Sequence, residues 1–459
     1  MPPREGHIPL ELIEEIIDGL SAETSLRTVR RSVLSNIALV SRSCRYRVNT
    51  QRFSQINIGI HQMDMAQIQT LARILASDMW QKDDGPAQHV RSMTLVLGTT
   101  DNRNLLSDPF KSQLIASILD VIFRHGDGTS VHTDINYTLS INTAIYAYSD
   151  PQHDGPAYGL PFTILDPAVV GALYRLCRSS LLNTLSLQTI WDVPSSIVLT
   201  SALTRLLLHR VHFTPSGSSN VLPFRNLKHL RVEMSPSLLD GVLGSTGEFP
   251  FSLETVRFKV NYAGGYEILR RLSKSIVHLI LAIVHHSASD SRQSGIDSSV
   301  IEYSGFLKLR VLEICLSDFF RPVFADEDAI LNNPEQQPIF LRIFNLLPTN
   351  TPPILLININ IELNYDHPVM SSHSGLDQLY HRMYHPSLIR LLEHCSDHSQ
   401  ITLDIDLDVV LDPDFASPIR HTLKSLAEEY EEYFRGLLSC LVRIEGLSVL
   451  VHVSILRMQ

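Results

Sequence analysis

The sequence has few cysteines and few aromatic residues, and it contains no long apolar run. Its five cysteines are odd in number and widely spaced, without a C-x-x-C pair. This excludes a disulfide framework and zinc-finger spacing, and it favours a reducing compartment. Aromatic residues make up 7% of the chain, so aliphatic side chains must supply most of the core. The apolar stretches fall far short of the ~18 residues of a membrane-spanning helix, so we expect no membrane partner.

Positive charge is also in deficit. The 459 residues include 38 lysines and arginines against 48 aspartates and glutamates, a formal net charge of −10. This net negative charge argues against a protein that binds nucleic acid over its whole surface. Charged residues make up 19% and apolar residues 44%, which indicates a packed chain. The first twelve residues hold glutamates and prolines where a secretory signal needs a basic end and an apolar run. We therefore expect a soluble cytoplasmic or nuclear protein.

Common catalytic motifs are missing as well. The sequence contains no G-x-x-x-x-G-K-[ST], G-x-G-x-x-G, G-x-S-x-G or H-E-x-x-H motif. No motif therefore supports a nucleotide-binding, hydrolase or zinc-protease function. His381 and His385 have i, i+4 spacing, but no third metal ligand is evident. Alternate aspartates over 404–408 fit a solvated strand face better than a calcium loop. We predict a non-enzyme with no catalytic residues, no metal and no cofactor.

Two helical patterns lie near the start of the chain. Apolar residues recur at helical spacing from Leu10 to Leu20 and again from Leu26 to Val40. Pro9 stands where a first helical turn tolerates proline. About 45 residues bury too little surface to shield both patterns alone. A partner helix or the rest of the chain must cover the excess.

These segments resemble an F-box, in the form common in fungal F-box-like proteins. The resemblance lies in residues 8–17, residues 38–43 and the closing Arg52-Phe53, and Cys44 stands where that family usually has tryptophan. It implies a three-helix module that binds the Skp-type adaptor of cullin-RING ubiquitin ligases. Matching positions imply adaptor contacts by Pro9, Leu10, Leu12, Ile13, Ile16, Leu39 and Val40. The alternative is an ordinary N-terminal helical cap on the next domain.

An L-x-x-L-x-L pattern of apolar residues recurs six times in succession along the middle of the chain. Its central positions 185, 206, 230, 256, 279 and 312 are 21, 24, 26, 23 and 33 residues apart, close to the ~20–29-residue period of leucine-rich repeats. Each copy predicts a short strand whose alternate side chains enter a core and whose unit is buried only by its neighbours. Amphipathic patterns predict helices at 66–77, 111–123, 167–177, 386–396 and 423–438.

This region resembles a degenerate leucine-rich-repeat solenoid, which follows the F-box in many F-box proteins. The asparagine that usually ends the strand motif is nearly absent, Asn261 being the clearest match. The predicted fold is α/β: a short N-terminal three-helix F-box module over 1–55, followed by an irregular leucine-rich-repeat-like solenoid over 56–459 with parallel strands and outer helices. An ordinary α/β sheet of parallel strands is the alternative.

Residues between and after the core leucines are expected to line the face on which a solenoid binds its partner. This groove would be basic in its middle and acidic further on, from Asn358 to Asp406. The basic candidates are Arg205, His209, His229, Arg231, Arg257 and Lys259. The resemblances imply a substrate-receptor subunit of an SCF-type ubiquitin ligase with an unknown protein substrate. The alternative is a leucine-rich-repeat interaction scaffold without a ligase partner.

Overall fold

The alternating aliphatic segments form parallel strands in the computed structural model of the chain. The structure describes residues 15, 17, 33–59, 63–76, 86–97, 108–124, 137–143, 160–179, 181–199, 203–214, 226–233, 235, 253–259, 265–284, 303–320, 347, 354–367, 386–396, 399–411 and 423–457. The chain divides into two units. The first holds Met1–Ser149, Gly155–Asn226 and Asp240–Val242, and the second holds Asp150–Asp154, Leu227–Leu239 and Leu243–Gln459.

The first unit alternates strands with helices. Its described elements are α1 (Arg42–Phe53), β1 (Gln55–Gly59), α2 (Met65–Ala76), α3 (Pro86–His89), β2 (Ser92–Val96), α4 (Pro109–Arg124), β3 (Tyr137–Asn142), β4 (Leu160–Pro161), α5 (Pro167–Arg178), β5 (Leu182–Pro194), α6 (Ser196–Leu199) and β6 (Arg205–Thr214). The strands pair in the order β1-β2-β3-β5-β6, and β4 pairs with the later part of β5. All of these pairs are parallel.

The second unit continues the same scheme with longer strands toward its end. Its described elements are β7 (His229–Glu233), β8 (Thr255–Lys259), α7 (Gly265–Leu272), β9 (His278–Val284), β10 (Val311–Phe320), β11 (Leu356–His367), α8 (Pro386–Ser396), β12 (Gln400–Leu411), α9 (Leu423–Leu437) and β13 (Leu447–Arg457). These strands also pair in chain order, and every pair is parallel. The predicted α/β class with parallel strands is therefore confirmed.

The apolar positions of the repeated pattern lie opposite one another across neighbouring strands. Leu185 on β5 faces Leu206 on β6, and in the second unit Leu279, Leu312 and Ile357 form one such row. All eighteen core residues of the six copies are buried, as the sequence predicts. Because side chains alternate along a strand, this register buries one face of each strand group and leaves the other face for polar residues.

Helices cover the buried face. All five predicted helices are present, each within two residues of its predicted ends. In the first unit α2 contacts α4 and α4 contacts α5. The Asp166 side chain caps α5 by accepting a hydrogen bond from the Ala168 N–H at 2.8 Å, and Pro167 occupies the first turn. The apolar stripe of α5 is buried, at Val169, Ala172, Leu173, Leu176 and Cys177.

Strands β5 and β6 bend together where the repeat consensus has its asparagine. Thr189 and Arg210 occupy equivalent positions in the register, and both adopt left-handed backbone angles, with φ of 56° and 51°. The bend shifts the side-chain alternation by one residue, so Ile190 and Val211 are buried. They stand at the consensus asparagine position. In these two copies the strand therefore continues with a buried apolar residue at that position.

We expect the rows of buried residues to dominate stability. Leu312→Ala should cost about 2–5 kcal/mol of unfolding free energy, because Leu312 is fully buried and its loss leaves a cavity. Leu355→Ala is the matched control, since that side chain is 60% exposed, and it should cost less than about 1 kcal/mol. Chemical unfolding followed by circular dichroism measures both values. Equal costs would contradict the assignment of the core.

Candidate functional site

The first candidate surface belongs to the N-terminal helical segments. Ile17, Leu34 and Val48 are buried together in one cluster, and Ile37 and Ala38 pack against it. These residues come from three helical segments, at residue 17, at 33–37 and in α1. The segments therefore share a small apolar core of their own.

A tight turn joins the second of these segments to α1 and exposes two apolar side chains. The Leu39 N–H donates to the Asn36 carbonyl at 3.1 Å, and the Val40 N–H donates to the Ile37 carbonyl at 3.0 Å. The Ser41 hydroxyl caps α1 by accepting from the Cys44 N–H at 3.0 Å. Leu39 is 77% exposed and Val40 is 71% exposed. Of the predicted adaptor contacts, these two are described; Pro9, Leu10, Leu12, Ile13 and Ile16 lie outside the described residues.

Helix α1 is also attached to the strand array. The ring of Tyr46 meets that of His89 at 4.7 Å in an edge-on arrangement, and the Thr50 hydroxyl lies 3.0 Å from His89 Nδ1. His89 ends α3, the short helix before β2. Cys44, at the position where the F-box family usually has tryptophan, is buried. Helix α1, which follows the turn at Leu39 and Val40, is thus held in place by its contacts with His89.

The second candidate surface is the polar face of the second unit. We use this name for the strand residues that alternate with the buried ones. At one level of the register, Arg231 faces Arg257, and the row continues through Ile280 to Glu313. The next level contains Cys315, Asn360 and Asp404. Parallel strands about 4.8 Å apart bring these side chains into one surface.

Glu313 is the centre of a hydrogen-bonded network on this face. Its Oε1 accepts from the Cys315 thiol at 3.2 Å and from Asn360 Nδ2 at 3.1 Å. Its Oε2 lies 3.5 Å from His278 Nε2 on the neighbouring strand. The Glu313 and His278 side chains are 24% and 31% exposed. Three strands, β9, β10 and β11, thus converge on one half-buried carboxylate.

This network fixes the protonation of its members. The nearby His278 imidazole holds the pKa of Glu313 below its usual range, helped by the Cys315 thiol and the Arg257 charge and opposed by burial. Burial and the neighbouring carboxylate raise the pKa of Cys315 to about 11. At neutral pH the Glu313 side chain is therefore a carboxylate and Cys315 is a neutral thiol. The thiol acts here as a hydrogen-bond donor, and it lacks the thiolate character of a nucleophile.

The structure places the predicted basic residues in different surroundings. In the first unit, Arg205 is exposed at the start of β6 and His209 is half-buried on the same strand. In the second unit, Arg231 forms an ion pair with Glu233 at 2.6 Å, and the Arg257 charge acts on Glu313.

The remaining two predicted basic residues also belong to the second unit. His229 opens β7 and is half-buried, and Lys259 is the last residue of β8. The arginines of the polar face thus lie near glutamates, which offset their positive charge. The remaining charge of this face is negative and lies on β11 and β12.

Sequence reasoning passed over His278, Glu313 and Cys315. Their signal is positional, because each lies beside buried apolar residues along its strand. Glu313, for example, lies between the core residues Leu312 and Ile314. Extending the alternation to every copy of the repeat would have identified all three as polar-face residues.

The chain was compared with known proteins, and neither comparison supplies a relative. No protein-family model matches the sequence. No curated protein matches it either. Within the part of the chain that the structure describes, no helix is long and apolar enough to cross a membrane. No group of three or more His, Cys, Asp or Glu side chains among those same residues could hold a metal ion.

We predict that Glu313 stabilises the fold in a pH-dependent way. Its lowered pKa means that the stabilisation is present above the ordinary glutamate pKa and is lost as the pH falls through the folded-state pKa. Glu313→Gln should therefore cost about 1–3 kcal/mol at pH 7, and this difference from wild type should shrink toward pH 3. Urea unfolding across that range measures it.

Glu362→Gln serves as the control for this prediction. Glu362 lies on the same face and is exposed, so its substitution should cost less than about 0.5 kcal/mol at either pH. A cost for Glu313→Gln that stays constant between pH 7 and pH 3 would contradict the role assigned to the carboxylate.

Proposed function

We propose that this chain is the substrate-receptor subunit of a cullin-RING, SCF-type ubiquitin ligase. Its N-terminal helices bind a Skp-type adaptor, and its strand array, a degenerate leucine-rich-repeat solenoid, binds a protein substrate. The transfer of ubiquitin belongs to other subunits, and this chain performs no chemistry. The observation that carries the proposal is the exposure of Leu39 and Val40 in the segment that resembles an F-box.

The exposure of these two residues is informative because of where they lie. Single exposed apolar residues are common on protein surfaces. Leu39 and Val40, however, are adjacent on a turn that leads into α1, which Ser41 caps, and the residues just before the turn, Ile37 and Ala38, pack against the apolar cluster. The cluster packs against the residues before the turn while the two apolar side chains of the turn stay exposed, and an apolar projection of this kind suits insertion into a partner's surface.

The array supports the second half of the proposal. Strands that pair in chain order and in register are what a solenoid requires, because each repeat contacts only its neighbours. They align the polar face of the second unit, with arginines on β7 and β8, the apolar Ile280 on β9, and carboxylates on β11 and β12. The substrate would bind across this face through charged groups of both signs.

A second candidate function is an interaction scaffold without a ligase partner. The contacts of Tyr46 and Thr50 with His89 favour it, because they fasten α1 to the array as a terminal cap would be fastened. In this case the N-terminal helices serve only to close the first repeats. Adaptor binding separates the two candidates.

The Leu39→Ala/Val40→Ala double variant should bind a purified Skp-type adaptor at least tenfold more weakly than wild type, a loss of about 1.4 kcal/mol or more. The reason is the removal of the two exposed apolar tips from the interface. The melting temperature should not change, since both side chains are largely exposed. Isothermal titration calorimetry measures the affinity, and Val442→Ala, at another exposed apolar position, should bind like wild type.

Two results would count against the ligase proposal. If the double variant binds the adaptor as tightly as wild type, the turn is not part of the interface. If wild type itself fails to bind the adaptor, the scaffold function is favoured.

Substrate capture should depend on Arg257. Arg257→Gln removes a charge from the polar face, and we expect proximity labelling in cells to lose the proteins that wild type enriches. Arg443→Gln, which removes an equivalent charge from an exposed turn of the same unit, is the matched control. Identical labelling by the Arg257 variant and wild type would place the substrate on another surface.

A further inference from the structure

The amino ends of β9, β10 and β11 share one backbone arrangement. The Val277 carbonyl accepts hydrogen bonds from the N–H groups of both Arg310 and Val311, at 2.8 and 3.2 Å. The Arg310 carbonyl accepts in the same way from Leu355 and Leu356, at 2.9 and 3.2 Å. Val277, Arg310 and Leu355 each directly precede their strand. They therefore occupy equivalent positions and lie side by side.

The side chains of this row reach solvent, and two of the three are apolar. Leu355 is 60% exposed and Val277 is 37% exposed. Arg310, which lies between them, is exposed as well. Because neighbouring parallel strands are about 4.8 Å apart, the two apolar positions are separated by about 10 Å. The row thus presents an apolar, a basic and an apolar side chain in succession.

The turn before β10 adds a third apolar side chain and a second cation. Tyr303 and Phe306 are buried, with their rings 5.6 Å apart, and Leu309 is buried too. Between Phe306 and Leu309, the side chain of Leu307 is 70% exposed and Lys308 is exposed. The exposed pair is therefore anchored by buried residues on both sides. We use the name amino-terminal rim for Val277, Leu307, Lys308, Arg310 and Leu355.

The charge of the amino-terminal rim is positive. Among the residues that the structure describes, no carboxylate forms an ion pair with Lys308 or Arg310. The equivalent position before β8 is Glu254, which is already paired with Lys228 at 2.7 Å. Single exposed aliphatic residues are common on protein surfaces. Three of them around two cations, in a chain of net charge −10, indicate an interaction surface for an apolar and acidic partner.

We propose that the amino-terminal rim binds an amphipathic helix of a partner protein, with aliphatic residues at i and i+7 and acidic residues at i+3 and i+4. Residues seven positions apart share one face of a helix and lie about 10 Å apart, which matches the separation of Val277 and Leu355. The acidic residues between them would meet Arg310 and Lys308. This inference does not depend on the ligase function.

Two other occupants fit the amino-terminal rim less well. An anionic membrane attracts basic residues near its surface by about 1 kcal/mol each, so two cations add little for a chain of net charge −10. A second copy in a two-fold contact would place Lys308 and Arg310 against the same cations of its partner. A partner helix with acidic residues avoids both penalties.

The probe for this proposal is a capped, fluorescent helical peptide with leucines at i and i+7, glutamates at i+3 and i+4, and alanine and glutamine elsewhere. We expect full-length wild type to bind it, and Leu307→Ala/Leu355→Ala to bind it at least tenfold more weakly, by fluorescence anisotropy. The melting temperature should not change, because both side chains are largely exposed. Leu450→Ala truncates an exposed leucine on β13 and should bind like wild type.

Charge reversal tests the placement of the acidic residues. Lys308→Glu/Arg310→Glu should bind the glutamate peptide at least tenfold more weakly than wild type does. The same variant should bind a peptide with lysines in place of the glutamates more tightly than wild type does. Moving the second leucine from i+7 to i+9 places it on the opposite face of the helix, so that peptide should bind wild type at least tenfold more weakly.

Several results would overturn the proposal. If wild type binds none of these peptides, or binds the glutamate and lysine peptides equally, the rim does not recognise an acidic helix. Unchanged binding by Leu307→Ala/Leu355→Ala would place the peptide elsewhere. Retention of wild type but not of this variant on phosphatidylserine vesicles would assign the rim to a membrane surface instead. A concentration-dependent dimer that the variant abolishes, measured by analytical ultracentrifugation, would assign it to a second copy.

Discussion

The alignment of buried aliphatic residues between parallel neighbours is the constraint on which the rest of the structure depends. Each strand turns alternate residues toward the helices, and rows such as Leu279, Leu312 and Ile357 continue that burial across strands. A shift of one residue in any pairing would turn an apolar row to the opposite face. Hydrophobic burial therefore fixes the register, and the register in turn fixes the position of every polar side chain.

The polar face of the second unit follows from this constraint. His278, Glu313 and Asn360 are far apart in sequence, but the register places them on adjacent strands around one carboxylate. A half-buried carboxylate is tolerable only when donors satisfy it. Here an amide, a thiol and an imidazole approach it. The face thus gains a fixed charge pattern from an alignment that the core imposes.

The sequence predicts the core well because burial requires apolar residues at regular intervals along the chain. The alternation of leucines identifies the strands, and the amphipathic patterns identify helices such as α5 and α9. The pairing of Arg231 with Glu233 and the network around Glu313 are not predicted, because side-chain contacts depend on register and rotamer, which apolar periodicity does not encode. The bend at Thr189 is missed for a related reason, since left-handed backbone is typical of glycine rather than threonine. The adaptor contacts assigned to Pro9 and its neighbours stay predictions.

The outermost strands of such an array differ from the inner strands in how their edges are covered. A strand inside a row is covered by neighbours on both edges, whereas an outermost strand has one uncovered edge. In the first unit, β1 limits this exposure because it is only five residues long and contains a glycine. In the second unit, β13 is more than twice as long, and its described protection is one guanidinium, that of Arg435, on one carbonyl. An apolar strand of this length invites self-association where its edge is uncovered.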